Sequence, residues 1–295
     1  MSIKLLKRHE IDDEKWDQCI NKAEFSSVFG KCWYLDIFTC RLWQGLVYDD
    51  YLAVMPLYIK KKWLVPYIIQ PFLCQQGGVF SCGPKRSDYN TLLYNAALKN
   101  VFSLNILTRV CWPGNVKLIE RVNHILDIGR DYKEIRSGYN RNTLRNIRHA
   151  IKLGVTIEYE NNPDMVVSFL AANDQSGSIH RYTSEIRELI KSSFDTLKGF
   201  AIKASIDDKI HSIAFFIEDN DRLYFLLCAS DPIGKANKSM YLMIDRVIIS
   251  YARKKNIFDF TGSNIENIAR RNISFGAKTE TYYQLKWNRL QLLYS

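Results

Sequence analysis

The 295 residues are too many for one typical core and point to two domains of roughly 100–150 residues each. Hydrophobic residues make up 47% and charged residues 24%, a globular balance that excludes a disordered chain, and no low-complexity stretch marks a linker. Lysine and arginine total 41 against 31 aspartates and glutamates, and the resulting +10 favours anionic partners: nucleic acid, phosphorylated or nucleotide-linked metabolites, or a membrane surface. Apolar runs such as 223–229 fall far short of the roughly 20 residues that span a bilayer. The opening MSIKLLKR has no apolar stretch behind its charges, so no secretion signal is expected and the protein reads as soluble and cytoplasmic. Seven scattered cysteines without a CxxC pair, and five histidines without ligand spacing, imply free thiols in a reducing compartment and no metal site.

In chain order, a strand is predicted over 3–6 and a helix from Asp12 or Asp13 carrying Trp16, Ile20 and Ala23, its acids suited to the positive end of the helix dipole. A second helix over 31–41 holds Trp33, Leu35, Ile37 and Phe38. Strands follow at 45–49 and 51–60 about an Asp49-Asp50 turn, then at 65–70 and 77–81 with PFLCQQGG between them. A helix over 89–101 and strands over 104–109 and 122–128 complete this half.

The second half is more regular. NRNTLRNIRHAIKLG (140–154) reads as a helix ended by Gly154, whose tolerance of positive φ suits the position after the cap. A strand over 155–160 precedes helices over 163–172, opened by Pro163, and 183–197. Strands over 199–206 and 210–218 form a hairpin, and a turn at 219–221 leads into RLYFLLCAS, a strand buried on both faces. DPIGKANK (231–238) reads as a loop and Ser239 as the N-cap of a helix over 239–254. A strand over 256–261, a helix over 264–274 and a closing strand over 281–290 follow.

Four features offer chemistry. Arg141, Arg145, Arg148 and Lys152 fall in one narrow stripe at about 100° per residue, with Leu144, Ile147 and Ile151 as the neighbouring stripe that packs on the protein. No acid lies in this helix, so the ridge suits phosphates or carboxylates; otherwise it is a solvated face. In CASDPIGKANKS, Ser230, Gly234, Lys235 and Lys238 lie between a buried strand and a helix start, a geometry attractive to anions, with Tyr241 a proton donor just inside; an ordinary helix start is the alternative. In FDFTGSN, Asp259 and Ser263 cluster at a strand's carboxyl end, where open α/β sheets bind ligands; Asp259 either orients or deprotonates an amine, or ties down loop N–H groups. Gln75 and Gln76, beside Gly77-Gly78, offer amides to a sugar or peptide. No Ser-His-Asp order, carboxylate pair, P-loop or nucleotide fingerprint is present.

The order of the second half, βααβββαβαβ, resembles that of the GNAT acyltransferase fold, and the first half gives a looser version. FGKCWYLDIF, QPFLCQQGGVF, YNRNTLRNIRHAIKLGVTI and FDFTGSNIENIARRNISFGAKTETYYQLKW together resemble the Fem-like branch of that superfamily, which includes the peptidoglycan-bridge aminoacyl transferases. The likeness covers nearly the whole chain. It implies an α/β fold with mixed sheets and two tandem GNAT-like domains, 1–130 and 131–280, with the closing strand 281–295 returning to the first. It also implies an acceptor cleft and direct acyl transfer without a covalent enzyme intermediate. Two family features are absent: Gly234 lacks the glycine partner of the acyl-CoA pyrophosphate loop, and Arg271-Asn272-Ile273-Ser274 lacks the lysine that precedes the final Phe-Gly of the bridge enzymes.

The expected function is N-acyl or aminoacyl transfer to an amine of a small molecule or cell-envelope precursor. Acyl-CoA and aminoacyl-tRNA are alternative donors, tRNA is a candidate partner, and no tightly bound cofactor is expected. Ser230, Gly234, Lys235 and Lys238 are assigned to the donor; Arg141, Arg145, Arg148, Lys152, Gln75 and Gln76 to the acceptor or other anions; Asp259, Ser263 and Tyr241 to the reacting end. The alternative is a non-catalytic protein that keeps the duplicated fold and the basic ridge to bind nucleic acid or another anionic ligand.

Overall fold

The structure, a computed structural model, describes residues 2–83, 86–99, 101–109, 116–174, 176–262 and 264–290. The chain divides into two compact units, Met1–Arg121 with Thr281–Ser295, and Val122–Glu280. None of the helices among the described residues is long and apolar enough to cross a membrane.

The first unit begins with β1 (Ile3–Lys7), α1 (Asp13–Lys22), α2 (Cys32–Thr39), β2 (Gln44–Tyr48) and β3 (Ala53–Leu57). Asp12 caps α1 by accepting from the Lys15 amide at 3.1 Å, as its side chain predicts. The strand expected over 51–60 is two strands: β3 pairs with β2, whereas β4 (Ile59–Lys62) pairs with β5 (Val65–Ile69). The break falls where apolar AVMPL gives way to exposed lysines, so each half follows its own burial pattern. Next come β6 (Phe80–Ser81), α3 (Arg86–Leu98) and β7 (Ser103–Thr108). Strands β1-β2-β3-β6 form one sheet, and β5 continues in parallel to β7. Leu93, Tyr94, Ala97 and Leu98 of α3 pack with Leu46, Met55 and Ile106 in this unit's core.

The second unit takes up β8 (Lys117–Asp127), then α4 (Tyr132–Ser137), α5 (Arg141–Lys152), β9 (Thr156–Glu160), α6 (Pro163–Ala172), α7 (Ser178–Arg181) and α8 (Thr183–Asp195). There follow β10 (Gly199–Ile206), β11 (Lys209–Asp219), β12 (Arg222–Ser230), α9 (Pro232–Ala236), α10 (Ser239–Tyr251), β13 (Ile257–Asp259) and α11 (Glu266–Ser274); β14 (Lys278–Asn288) leaves this unit and pairs antiparallel with β7. The sheet order is β8-β13-β12-β11-β10-β9, antiparallel except for the β12–β13 pair, whose crossover carries α9 and α10. Helix α9 lies where the sequence predicts a loop, and α4 and α7 lie where no element is predicted; at six residues or fewer the three show no periodicity to read.

Helix α5 buries Thr143, Asn146, Ile147 and Ala150, not the expected Leu144–Ile147–Ile151 stripe: Ile151 is 51% exposed. The packed face lies about 180° from the cationic stripe, because at 100° per residue positions 143, 146, 147 and 150 centre opposite 141, 145, 148 and 152. Ile147 and Ala150 join Phe216, Phe225, Phe258 and Phe275 in the unit's core.

After α11 the chain turns through Gly276 (φ +81), where a Cβ would lie 2.9 Å from the Gly138 carbonyl oxygen. Glycine is required there for both reasons. Gly276→Ala is expected to cost about 1–3 kcal/mol of stability, read as a lower urea midpoint at unchanged m-value.

Candidate functional site

Strands β12 and β13 pair only over Arg222–Tyr224 with Ile257–Asp259. Beyond this, Thr261 Oγ1 donates to the Phe225 carbonyl at 2.5 Å, and β12 then continues to Ser230 against β11 alone. The β11 register moves from Phe215↔Leu227 to Phe216↔Phe225, leaving Leu226 unopposed as a bulge that re-aims the strand end. At that end opens a groove of about 520 Å³, whose lining includes Cys228, Ser230, Gly234, Lys235, Lys238, Tyr241 and Arg271.

The groove's polar groups are held from behind. Ser212 of β11 sits opposite Ser230 and donates to its Oγ at 2.6 Å, while Ser212 Oγ lies 2.5 Å from Ser239 Oγ. A separation that short requires a shared hydrogen. Either hydroxyl can supply it, since Ser212 also donates to Ser230 and Ser239 also donates to the Gly234 carbonyl at 3.1 Å. Ser230 accepts from Ser212, so its own hydrogen is left for the groove. Ser212 and Ser239 are fully buried.

The expected loop before α10 is α9, capped by Asp231, whose Oδ1 accepts from the Gly234 amide at 2.7 Å and whose Oδ2 accepts from His211 Nδ1 at 2.8 Å. Partial burial pushes the Asp231 carboxyl up, but the Gly234 amide and His211 outweigh it and hold it below its usual 3.8. Gly234 lets α9 lie against β11, since a Cβ would meet the His211 carbonyl oxygen at 2.1 Å. Ser239 is not the N-cap of α10: Lys238 is, in the left-handed conformation (φ 63), because the Ser239 hydroxyl is engaged with Ser212 and Gly234.

Tyr241 stacks on Phe275 at 5.7 Å, and the Arg271 guanidinium lies over the Phe225 ring at 5.4 Å while donating to Asn272 Oδ1. The groove's one acid, Asp174, has its carboxylate taken up by the Ser176 amide and hydroxyl and the Ile179 amide, at 2.9, 2.7 and 2.7 Å. Against this one carboxylate the lining carries three cations, Lys235, Lys238 and Arg271, so its net charge is positive.

Of the residues singled out in the sequence, Ser230, Gly234, Lys235, Lys238 and Tyr241 meet in this groove. Asp259 does not line it. It is 1% exposed, and its carboxylate accepts from Asn123 Nδ2 at 3.0 Å, the Thr261 amide at 2.7 Å and Arg222 Nη1 at 2.6 Å, so it ties down the chain after β13. Arg141, Arg145, Arg148 and Lys152 are exposed on α5 and line none of the groove; Arg145 donates to Asn142 and Arg148 to the Leu144 carbonyl. Gln75 and Gln76 belong to the first unit, where Gln76 is buried and Gln75 Oε1 is buried without a hydrogen-bond partner among the described residues. Ser263 lies outside the described residues. Ser212, His211, Cys228 and Arg271 escape sequence reasoning; the Ser212↔Ser230 register of the β11–β12 hairpin is the signal that leads to the first two.

Two outcomes follow. Asp259→Ala leaves Arg222 in a mostly buried position without its principal partner and is expected to cost about 3–5 kcal/mol in urea unfolding. The depressed Asp231 carboxyl contributes stability that is complete above pH 3.8 and fades as the pH falls through its lower folded value. The advantage of the native protein over Asp231→Asn in thermal unfolding is thus expected to be constant near neutrality and to shrink in acid below that point.

No protein-family model matches the chain, and no curated protein matches it in sequence. Solved structures do. FemX shares 13% identity at a TM-score of 0.72, covering 100% of this chain and 99% of its own. L-PGS from Bacillus licheniformis shares 10% at 0.55, covering 94% and 92%. A tandem GNAT protein from the clavulanic acid biosynthesis pathway shares 9% at 0.53, covering 97% and 98%. At these identities the likeness is one of architecture, and it extends over both units: the chain carries a Fem-like, GNAT-related tandem α/β fold.

Proposed function

We propose that the chain is an acyltransferase that hands an acyl or aminoacyl group to an amine, with the groove at the end of β12 as its donor site. The supporting observation is the convergence there of three cations (Lys235, Lys238 and Arg271), the Ser230 hydroxyl with its hydrogen unspent, and the Tyr241 phenol. The cations hold the donor's phosphates. Because Asp231 already occupies the Gly234 amide, this work falls to side chains and not to the helix N-terminus.

In this reading Ser230 donates to the acyl carbonyl oxygen, and its hydrogen bond strengthens as that oxygen gains charge. The amine nitrogen attacks the carbonyl carbon, the carbon–nitrogen bond forms, and the bond to the leaving sulfur or oxygen breaks. Tyr241 protonates the leaving group, the ammonium proton passes to water, and water returns a proton to the Tyr241 phenolate. Proximity supplies much of the rate, as in a transfer with no enzyme-bound intermediate. The Fem-like resemblance favours a cytoplasmic enzyme with its acceptor amine on a cell-envelope precursor, and aminoacyl-tRNA or acyl-CoA as donor; the α5 ridge then serves the phosphates of tRNA or precursor.

The test is mass-spectrometric detection of the new amide from a panel of acyl-CoAs and aminoacyl-tRNAs with precursor amines. Ser230→Ala is expected to lower kcat by roughly 10²–10³-fold and Tyr241→Phe by roughly 10²–10⁴-fold, while Arg145→Ala with Arg148→Ala raises KM and spares kcat. The outward cationic face of α5 favours one competing reading, a nucleic-acid binder. Salt-sensitive RNA binding with no amide from any donor would establish that reading and defeat this one.

A further inference from the structure

A second groove, of about 560 Å³, opens in the Val122–Glu280 unit along β9, the last strand of its sheet, and shares no lining residue with the first. That volume is in the range of small-molecule sites. Its floor is the end of an aromatic column. Phe225, Phe216 and Phe200 face one another in register across β12, β11 and β10, with centroids 5.1 and 5.0 Å apart and planes within 22° and 13°. Tyr251, at the end of α10, adds a fourth ring on Phe200 at 5.5 Å and 5°. There the column stops: Tyr251 lines the groove and has no further ring partner among the described residues, and its hydroxyl is fixed to Glu218 Oε1 at 2.5 Å. Tyr159, 60% exposed, stands edge-on to Phe200 at 5.8 Å and 66° as a side wall.

The charges are uneven. Two ionisable side chains besides the tyrosines line this groove, Glu158 and Arg246. Glu158 lies 3.9 Å from Lys203, which pairs more closely with Glu160 at 3.1 Å; Arg246, exposed on α10, has no carboxylate within ion-pair distance among the described residues, and the adjacent Asp245 that feels its charge is paired with Arg136. We propose that this groove binds a planar aromatic monoanion, whose ring continues the stack on Tyr251 and whose carboxylate or sulfonate meets the Arg246 guanidinium. A flat ring fits because the surface it meets is a ring already locked parallel to its neighbours. An anion fits because the guanidinium is the one cation among the groove's described lining residues and has no carboxylate within ion-pair distance. The assignment is independent of acyl transfer and stands or falls without it.

Fluorescence titration with 8-anilinonaphthalene-1-sulfonate, and with neutral N-phenyl-1-naphthylamine as its uncharged counterpart, tests this on the full chain. Arg246→Gln, a surface change, is expected to weaken the sulfonate by roughly 10-fold or more, the loss of one charge-assisted hydrogen bond, and to leave the neutral amine unchanged. Ser250→Trp, which fills the groove from an exposed position, is expected to remove both, with circular dichroism confirming an intact fold. The proposal is overturned if neither probe binds, if the sulfonate binds equally to all three proteins, or if Arg246→Gln weakens both probes alike. It is also overturned if sedimentation shows a dimer that Ser250→Trp converts to monomer, since a second copy would then be the occupant.

Discussion

The buried ion pair between Arg222 and Asp259 holds the fork on which the second unit's architecture depends. Arg222 opens β12 and Asp259 closes β13, and the two strands pair over only three residues each. Desolvating two charges is expensive and is offset only when their remaining hydrogen-bonding capacity is met. Here Asn123 and the Thr261 amide complete the carboxylate. With Asp259 drawn to one face, Phe258 and Phe260 are left to the core on the other, and β12 runs on alone towards Ser230. The groove is the space that this separation leaves.

Within the groove, structural and chemical duties fall on different polar groups. Asp174 in the lining, and Asp231 and Asp259 outside it, are each held by amides, hydroxyls or cations of the chain itself, and the groove's three cations outnumber its one carboxylate. Lys235, Lys238 and Arg271 are left to face solvent-borne anions, and the serine chain delivers one hydrogen to the surface at Ser230. Carboxylates fix the frame; cations and hydroxyls meet the ligand.

The sequence shows a good deal of this. The period of α5, the acidic start of α1, the Pro163 start of α6, the hairpins of β10 to β12 and the opposite facing of Asp259 from its phenylalanine neighbours are all local, and all are legible. So is the clustering of Ser230 to Tyr241, because those residues are close in the chain. Illegible features have other causes. Asp231 and Pro232 carry a cap signature, but five residues are too few for α9 to show a face. Ile151 looks apolar and in phase, yet it stands at the edge of the packed arc near the helix end. Ser239 has the chemistry of an N-cap, but a hydroxyl 27 residues upstream engages it. The Ser212–Ser230–Ser239 chain exists only once strand register is known, and Arg271 reaches the groove from an element placed by long-range packing.

Cys228 offers the most direct test of whether the groove is the donor site, since it is an exposed thiol within the lining, and Cys40, exposed in the other unit, serves as an internal standard. Iodoacetamide labelling followed by peptide mass spectrometry reads both at once. A donor that supports amide formation should slow alkylation of Cys228 several-fold and leave Cys40 untouched. Equal labelling of Cys228 with and without saturating donor would contradict the account.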